Sequence, residues 1–328
     1  MTTTNEDPGN TDLTSIVFTV PRLLLSAAGI LLLSIVFKRE VRSKQNHPNA
    51  KCLLLLHYAA IMLSAAVLAG VSIWNLCDPQ SADKVRAKGN TAKKPELRRV
   101  CLYMSIYGNA VSMAAMFSLG IERALSTVKA QNYEHSSRIV GIFLFIASNL
   151  AGAVTDILMI VNQSSSFYSI ATTILHCFAG LEVVTITVFA LLYAYNVKWM
   201  RSKDRIFASL SHKYQMEENS LSISRLLPMA TVQTTLNLTN LIVKPIILTA
   251  NQSGRFLPAA YFDLMPFYYV LLPIITLWRQ RNRRVKTVTE GPQNRSTKAE
   301  NDKHFRMLHS MFNADLRPPM VNSVRVCG

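Results

Sequence analysis

The sequence predicts an all-α membrane protein, a seven-transmembrane helix bundle with its N-terminus outside and its C-terminus in the cytoplasm. Of the 328 residues, 50% are hydrophobic and 16% are charged, which is too apolar and too poor in charge for a soluble domain of this size. A helix that crosses a bilayer needs about 20 mostly apolar residues. Seven such runs follow one another: Ser15 to Phe37, Cys52 to Trp74, Val100 to Ile121, Ile139 to Val161, Tyr168 to Tyr195, Leu226 to Ala250 and Leu257 to Trp278.

The distribution of basic residues predicts the orientation, because Lys and Arg next to membrane helices are retained in the cytoplasm. With the N-terminus outside, the cytoplasmic segments hold most of them: Lys38, Arg39, Arg42, Lys44, Lys51, Arg123, Lys129, Arg138, Lys198, Arg201, Lys203, Arg205, Lys213, Arg225 and the tail from Arg279. The loop from Lys84 to Arg99 does not fit this orientation, because its basic residues would lie outside the cell. The net charge of +16 is therefore explained by basic residues that mark cytoplasmic segments and contact membrane lipids. We expect no nucleic acid partner.

The runs divide the chain into three parts. Residues 1–14 form an extracellular N-terminus, residues 15–278 the seven-transmembrane domain, and residues 279–328 a basic, largely disordered cytoplasmic tail. The N-terminus is acidic and the first run is long enough to span, so we predict no cleavable signal peptide. The seventh run ends in WRQRNRRVK, a basic cluster expected to contact anionic lipid.

Two cysteines lie at the outer ends of neighbouring runs. Cys77 follows the second run and Cys101 opens the third, so a disulfide between them is allowed in an oxidising exterior. Cys177 is a rival partner for Cys101, and free buried thiols are the alternative.

The third run stops at an acid-base pair, Glu122 and Arg123, within the stretch Ser118 to Glu134. Side chains of this kind do not sit in hydrocarbon, so the pair marks a membrane face. Adjacent opposite charges can neutralise each other and cap the helix, or a binding partner can separate them. We favour the second interpretation.

The segment between the fifth and sixth runs contains no Pro or Gly and has helical spacing, which predicts that both helices extend into the cytoplasm. Within the sixth run, Gln233, Asn237, Asn240 and Lys244 share one helix face. Such polar groups turn toward the bundle interior or a cavity. They form either the wall of a ligand pocket or hydrogen bonds between helices.

Other polar residues at comparable depth extend the candidate ligand site. They are Tyr103 and Tyr107 on the third run, His176 and Glu182 on the fifth, and Tyr261, Asp263, Tyr268 and Tyr269 on the seventh. For Lys244 the expected partner is Asp263 on the neighbouring helix.

Four prolines predict kinks in the last two helices, because proline removes a helical hydrogen bond. Pro228 and Pro245 lie in the sixth run and Pro266 and Pro273 in the seventh. A bundle that opens on its cytoplasmic side would use such hinges.

Catalytic motifs are absent from the sequence: it has no HExxH, no GxSxG, no Walker loop and no histidine cluster. We therefore predict no enzyme, no catalytic residue, no metal site and no cofactor.

Three short motifs narrow the assignment: IERALST followed by NYE after the third run, HPNAK before the second, and LSHKYQMEEN leading into the sixth. In this order they resemble the nematode serpentine chemoreceptors of the Sra superfamily, of class epsilon or class alpha-beta. The chain departs from rhodopsin-like receptors, since its seventh run lacks NPxxY and its sixth lacks CWxP.

The resemblance implies a chemosensory G-protein-coupled receptor in the plasma membrane of sensory neurons, which binds an unknown small molecule from outside and activates a heterotrimeric G protein. Glu122 and Arg123 are then the acidic-Arg switch, and Tyr214, Gln215, Glu218 and Asn219 match the family's element before the sixth helix.

A transporter or channel is the alternative from another class. Transporters tend to contain internal repeats, and the two halves of this sequence show none. A purely structural membrane protein is favoured only if neighbouring helices satisfy the whole polar face of the sixth helix.

Overall fold

The computed structural model describes residues 8–43, 47–77, 95–129, 139–161, 167–202, 210–251 and 263–289. The described residues form seven helices: α1 (Pro8–Arg42), α2 (Pro48–Cys77), α3 (Pro95–Val128), α4 (Ile139–Val161), α5 (Phe167–Arg201), α6 (Leu210–Asn251) and α7 (Met265–Thr289). Their number and order confirm the predicted all-α, seven-helix architecture.

The end of α1 and the start of α2 are joined by hydrogen bonds from Lys51. Proline opens α2 at Pro48, a position where the missing N–H is not needed. The Lys51 ammonium donates to the carbonyls of Val41 at 2.7 Å and Ser43 at 2.8 Å, which caps the C-terminal end of α1. These hydrogen bonds therefore hold the start of α2 against the end of α1.

The core of the bundle lies around α3, which packs against α2, α4, α5 and α6. Leu33, Leu53, Phe189, Ile223 and Leu272 are each fully buried and come from five different helices. The outer surface is also apolar. Helix α4 buries a stripe of mostly small residues and exposes large ones: Ile142, Phe143, Ile146, Leu150 and Val154. Small residues inside and large apolar ones outside are typical of a helix that faces lipid.

Five of the described helices, α1 to α5, contain stretches long and apolar enough to cross a membrane. Helix α6 falls below that measure because inward-facing amides interrupt its apolar run. Helix α7 ends in a basic segment that lowers its mean hydropathy.

Helices α5 and α6 extend well beyond their apolar runs, to Arg201 and from Leu210, as the sequence predicts. The expectation for α7 needs a correction. Pro273 lies inside this helix, whereas Pro266 occupies its first turn, where proline is tolerated. Of these two prolines, only Pro273 removes a hydrogen bond from the helix interior.

The chain divides into two compact units, Met1–Leu277 and Trp278–Gly328. The first contains α1 to α6 and the start of α7. In the second unit, the described residues 278–289 continue α7 as its basic end.

Replacing Gly29 by Ala tests the close approach of α1 and α7. A Cβ added at Gly29 would lie 2.6 Å from Cβ of Tyr269 and 3.0 Å from its carbonyl oxygen, so one helix must shift. We expect a loss of about 1–3 kcal/mol in unfolding free energy, measured by thermal unfolding in detergent. Gly70→Ala is the matched control, since a Cβ there meets nothing within 4 Å. Equal stability of the two variants would contradict the packing.

Candidate functional site

The end of α3 carries an arginine clamp, which we define as Glu122, Arg123 and Ser126 of α3 with Asn219 of α6. Glu122 is 1% exposed and Arg123 is 2% exposed. Nε of Arg123 donates to Oε2 of Glu122 at 2.5 Å and Nη2 donates to Oε1 at 2.7 Å. This two-point geometry is the strong form of a charged hydrogen bond, so the two buried charges neutralise each other.

Asn219 links the clamp to α6. Its Oδ1 accepts a hydrogen bond from Nη1 of Arg123 at 3.1 Å and another from the Ser126 hydroxyl at 2.7 Å. Asn219 belongs to the KYQMEEN segment, which the structure makes the first turns of α6. The two motifs that the sequence presents separately are therefore in direct contact.

Two further predicted coupling residues precede Asn219 on α6. Gln215 lies one turn before it and is 4% exposed, so it faces the bundle. The side chain of Tyr214 lies outside the described part of the structure.

His47, in the turn between α1 and α2, approaches the clamp from a third side. Its Nδ1 lies 4.0 Å from Oε1 of Glu122. Burial lowers the pKa of His47; Glu122 raises it and Arg123 lowers it further. The folded protein therefore favours the neutral imidazole.

A central network of hydrogen bonds crosses the bundle between five helices. Its members are Ser112 of α3, His57 of α2, Tyr268 of α7, Gln233 of α6 and Glu182 of α5. Nε2 of His57 lies 3.0 Å from the Tyr268 hydroxyl, which donates to Oε1 of Gln233 at 2.8 Å. Nε2 of Gln233 donates to Glu182 at 2.7 Å. All five residues are buried, so the network holds the helices together inside the bundle.

The donated hydrogen bonds of this network point in one direction, from Tyr268 to Glu182. Because Tyr268 donates its only hydrogen to Gln233, its oxygen is available to accept the Nε2 hydrogen of His57. Nδ1 of His57 lies 3.1 Å from both the hydroxyl and the backbone carbonyl oxygen of Ser112. From Tyr268 the hydrogen bonds therefore run through Gln233 to Glu182.

Glu182 is the acceptor at the end of the network. Besides Gln233, it accepts from the hydroxyl of Thr234 at 2.8 Å and the amide of Asn237 at 2.8 Å. All three donors are uncharged and belong to α6. The predicted polar face of the sixth helix is therefore real, and its first two amides bond to a neighbouring helix.

Asn240 and Asp263 form a second polar cluster farther along α6. Asn240 donates to Oδ1 of Asp263 at 3.4 Å and accepts from the Leu264 amide at 3.1 Å. Oδ2 of Asp263 lies 3.6 Å from Nη2 of Arg22 on α1. The side chain of Lys244, the partner expected for Asp263, lies outside the described part of the structure.

The two tyrosines predicted on α3 are half-buried. The hydroxyl of Tyr107 donates to Oδ1 of Asn149 on α4 at 3.0 Å, so this side chain faces the fourth helix. Tyr103 lies one turn earlier on α3. On α5, the predicted polar residue His176 is exposed, and the predicted Tyr261 lies outside the described residues.

The predicted disulfide is not formed. Cys77, Cys101 and Cys177 are all free thiols, so neither pairing considered for Cys101 is present. The alternative of buried thiols is also wrong for Cys77 and Cys177, which are exposed.

Sequence reasoning missed several contributors, among them His57, Ser112 and Arg22. His57 and Arg22 are ionisable residues inside apolar runs, which is a sufficient signal to find them. Ser112 offers no such signal, because serine is common in membrane helices.

Comparison with known proteins gives two matches. The model of the family described as serpentine type 7TM GPCR receptor class ab chemoreceptor matches residues 13–313. Over 265 residues the chain is 24% identical to serpentine receptor class alpha/beta-14 of Caenorhabditis elegans, a match that covers 74% of this chain and 67% of the relative. Both descriptions name one of the two classes that the sequence motifs left open.

Replacing Gln233 by Ala tests the central network. The change removes a donor from Glu182 and an acceptor from Tyr268, and both partners are buried. We expect a loss of about 3 kcal/mol in unfolding free energy, because buried polar groups are left unpaired. Thr231→Ala on α6 is the control, since Thr231 is exposed and, within the described residues, its hydroxyl bonds the Leu227 carbonyl of its own helix. A similar loss in both variants would rule out the interhelical role of Gln233.

Replacing His47 by Gln tests the pH dependence of the clamp. Because the pKa of His47 is lowered in the folded protein, the unfolded chain takes up the proton first as the pH falls. The stability advantage of wild type over the variant is therefore constant above about pH 7 and shrinks as the pH falls through about 6.5. Unfolding of wild type and His47→Gln in detergent, at a series of pH values from above about 7 to below about 6.5, measures this stability difference. An advantage that grows on acidification would mean that protonated His47 pairs with Glu122.

Proposed function

This chain belongs to the serpentine type seven-transmembrane receptor family of class ab, and from that premise we propose that a small molecule activates a G protein by releasing Arg123 from its clamp. The family and the helical bundle make the chain a multi-pass chemosensory G-protein-coupled receptor. The observation that carries the coupling proposal is the hydrogen bond from Arg123 to Asn219, which ties α3 to α6.

The clamp end of the bundle faces the cytoplasm in this proposal. Helix α1 has Arg39 and Arg42 in its last turn, and α5 has Lys198 and Arg201. Basic residues at helix ends favour the cytoplasmic side. The Asp263 cluster then faces outward, where an external ligand arrives.

Release of Arg123 requires α6 to move away from α3. In the resting state the guanidinium of Arg123 donates to Glu122 and Asn219 and is buried. When α6 carries Asn219 away, one nitrogen of Arg123 loses its partner and becomes available to an acceptor of a G protein. Because arginine stays charged and presents several donors, it is suited to engage a peptide segment in the opened cleft.

Helix α6 is suited to transmit the signal because it contributes at least one amide to the arginine clamp, to the central network and to the Asp263 cluster. Asn240 contacts Asp263, Gln233 and Asn237 contact Glu182, and Asn219 contacts Arg123. From Asn219 to Asn240 a continuous helix rises about 32 Å at ~1.5 Å per residue. A rigid shift of α6 would therefore disturb all three clusters together.

The ligand must bind the active bundle more tightly than the resting one, since equal affinity shifts no population. We place its contacts among the polar residues of the central network and those on its outer side. Asn237 and Asp263 are only partly buried and are the most accessible of the described candidates. Tyr103, Tyr107, Glu182, Gln233, Asn240 and Lys244 complete the proposed ligand site.

We place the receptor in the plasma membrane of sensory neurons, with a heterotrimeric G protein as its partner. Anionic lipid headgroups are the proposed contacts of the basic cluster at the end of α7.

Two substitutions in the clamp test the coupling proposal. In Asn219→Ala, Arg123 loses a hydrogen bond and α6 loses its tie to α3, so we expect basal nucleotide exchange to rise roughly tenfold. In Arg123→Ala, exchange should fall to the level without receptor. The assay uses reconstituted vesicles with purified G protein and equal amounts of inserted receptor.

Thr231→Ala is the control for this pair, since Thr231 lies on α6 away from the clamp and is exposed. Basal exchange that is the same in wild type, Asn219→Ala and Arg123→Ala would refute the proposed coupling role.

A further inference from the structure

The outer half of α1 presents a polar face to the bundle interior. Arg22 and Ser26 are four residues apart, so their side chains lie one helical turn apart, about 6 Å between Cβ atoms. Gly29 continues the same face and approaches the backbone of Tyr269. This contact brings α1 and α7 together next to the two polar residues.

Arg22 is held loosely. Its Nη2 is 3.6 Å from Oδ2 of Asp263, which is beyond hydrogen-bond distance. Its Nε is buried and has no hydrogen-bond partner in the described part of the structure. The arrangement contrasts with Arg123, whose Nε and both terminal nitrogens all donate at 3.1 Å or less.

Ser26 is the second unusual group. Its side chain is 0% exposed and its Oγ has no hydrogen-bond partner among the described residues. Serines elsewhere in these helices bond the carbonyl four residues earlier, as Ser34, Ser72 and Ser148 do. This local bond is the usual solution for a buried helical serine, and Ser26 does not make it.

The charges select the kind of molecule that fits here. Arg22 and Asp263 already neutralise each other, so an added cation or anion would leave an unbalanced charge in a poorly solvated place. The unmet groups are an N–H donor and a hydroxyl, and the N–H can only donate. Their natural complement is an uncharged hydrogen-bond acceptor.

We propose that Arg22 and Ser26 bind the carbonyl oxygen of an uncharged small molecule, such as a ketone or an ester, between α1 and α7. The oxygen accepts from Nε of Arg22 and from Oγ of Ser26, and Asp263 keeps the guanidinium charge balanced. This inference rests on the proposed function only in taking the bound molecule to be the activating ligand, and it adds Arg22 and Ser26 to the site.

The first test is binding, measured without a G protein. Purified full-length receptor is heated in detergent with matched probes on one carbon chain: methyl hexyl ketone, methyl heptanoate, octanoate, octylamine and octane. We expect the ketone and the ester to raise the unfolding temperature by roughly 3 °C or more. The anion, the amine and the alkane should raise it less.

Three variants assign the effect to the site. Arg22→Lys keeps the positive charge beside Asp263 and removes the Nε donor, and Ser26→Ala removes the hydroxyl. Each should lower the affinity for the carbonyl probes about tenfold. Ser34→Ala is the control, because Ser34 is exposed and bonds its own helix, and it should bind as wild type does.

Three outcomes would overturn the proposal: no stabilisation by either carbonyl probe, equal or greater stabilisation by the amine, the anion or the alkane, or unchanged affinity in both Arg22→Lys and Ser26→Ala. Nucleotide exchange is measured separately on Asn219→Ala receptor. Raised basal exchange without carbonyl binding would leave the coupling proposal standing and refute this one. Carbonyl binding without raised exchange would support this proposal and refute the coupling proposal.

Discussion

Helix α6 has to place its polar side chains against partners inside the bundle, and most of the structure follows from that requirement. In a bilayer an unpaired amide is costly, so such side chains turn toward protein partners or a cavity. Asn219, Gln233, Asn237 and Asn240 find theirs on α3, α5 and at the start of α7. These contacts fix the rotation of α6 about its own axis, which apolar packing alone would specify poorly.

The two ends of the bundle satisfy this requirement differently. At the clamp, the guanidinium of Arg123 is closed by hydrogen bonds from three nitrogens, and it is almost completely buried. At the Asp263 cluster, the side chain of Arg22 is 23% exposed and its ion pair is longer than a hydrogen bond. A tightly closed end and a loosely closed end are compatible with a receptor whose ligand enters at one and whose output leaves from the other.

The central network lies between these ends and bears on the interpretation of the polar face. Because Gln233 and Asn237 bond Glu182, much of this face serves to join helices, as the alternative reading of the sequence allowed. The family assignment nevertheless makes the whole chain a receptor rather than a purely structural membrane protein. Interhelical bonds and signal transmission are compatible here, since the same bonds couple a shift of α6 to its neighbours.

By itself the sequence determined the seven helices, the polar stripe on the sixth, the special character of Glu122 and Arg123, and the family. These properties depend on the length and periodicity of apolar runs and on short motifs, which are local in the chain. Only the tertiary structure decided that Asn219 meets Arg123, that Asp263 faces Arg22, that His57 and Tyr268 join the network, and that Cys77 and Cys101 are free thiols. A pairing between helices depends on how each is rotated and translated against its neighbours, and no spacing within one helix contains that information.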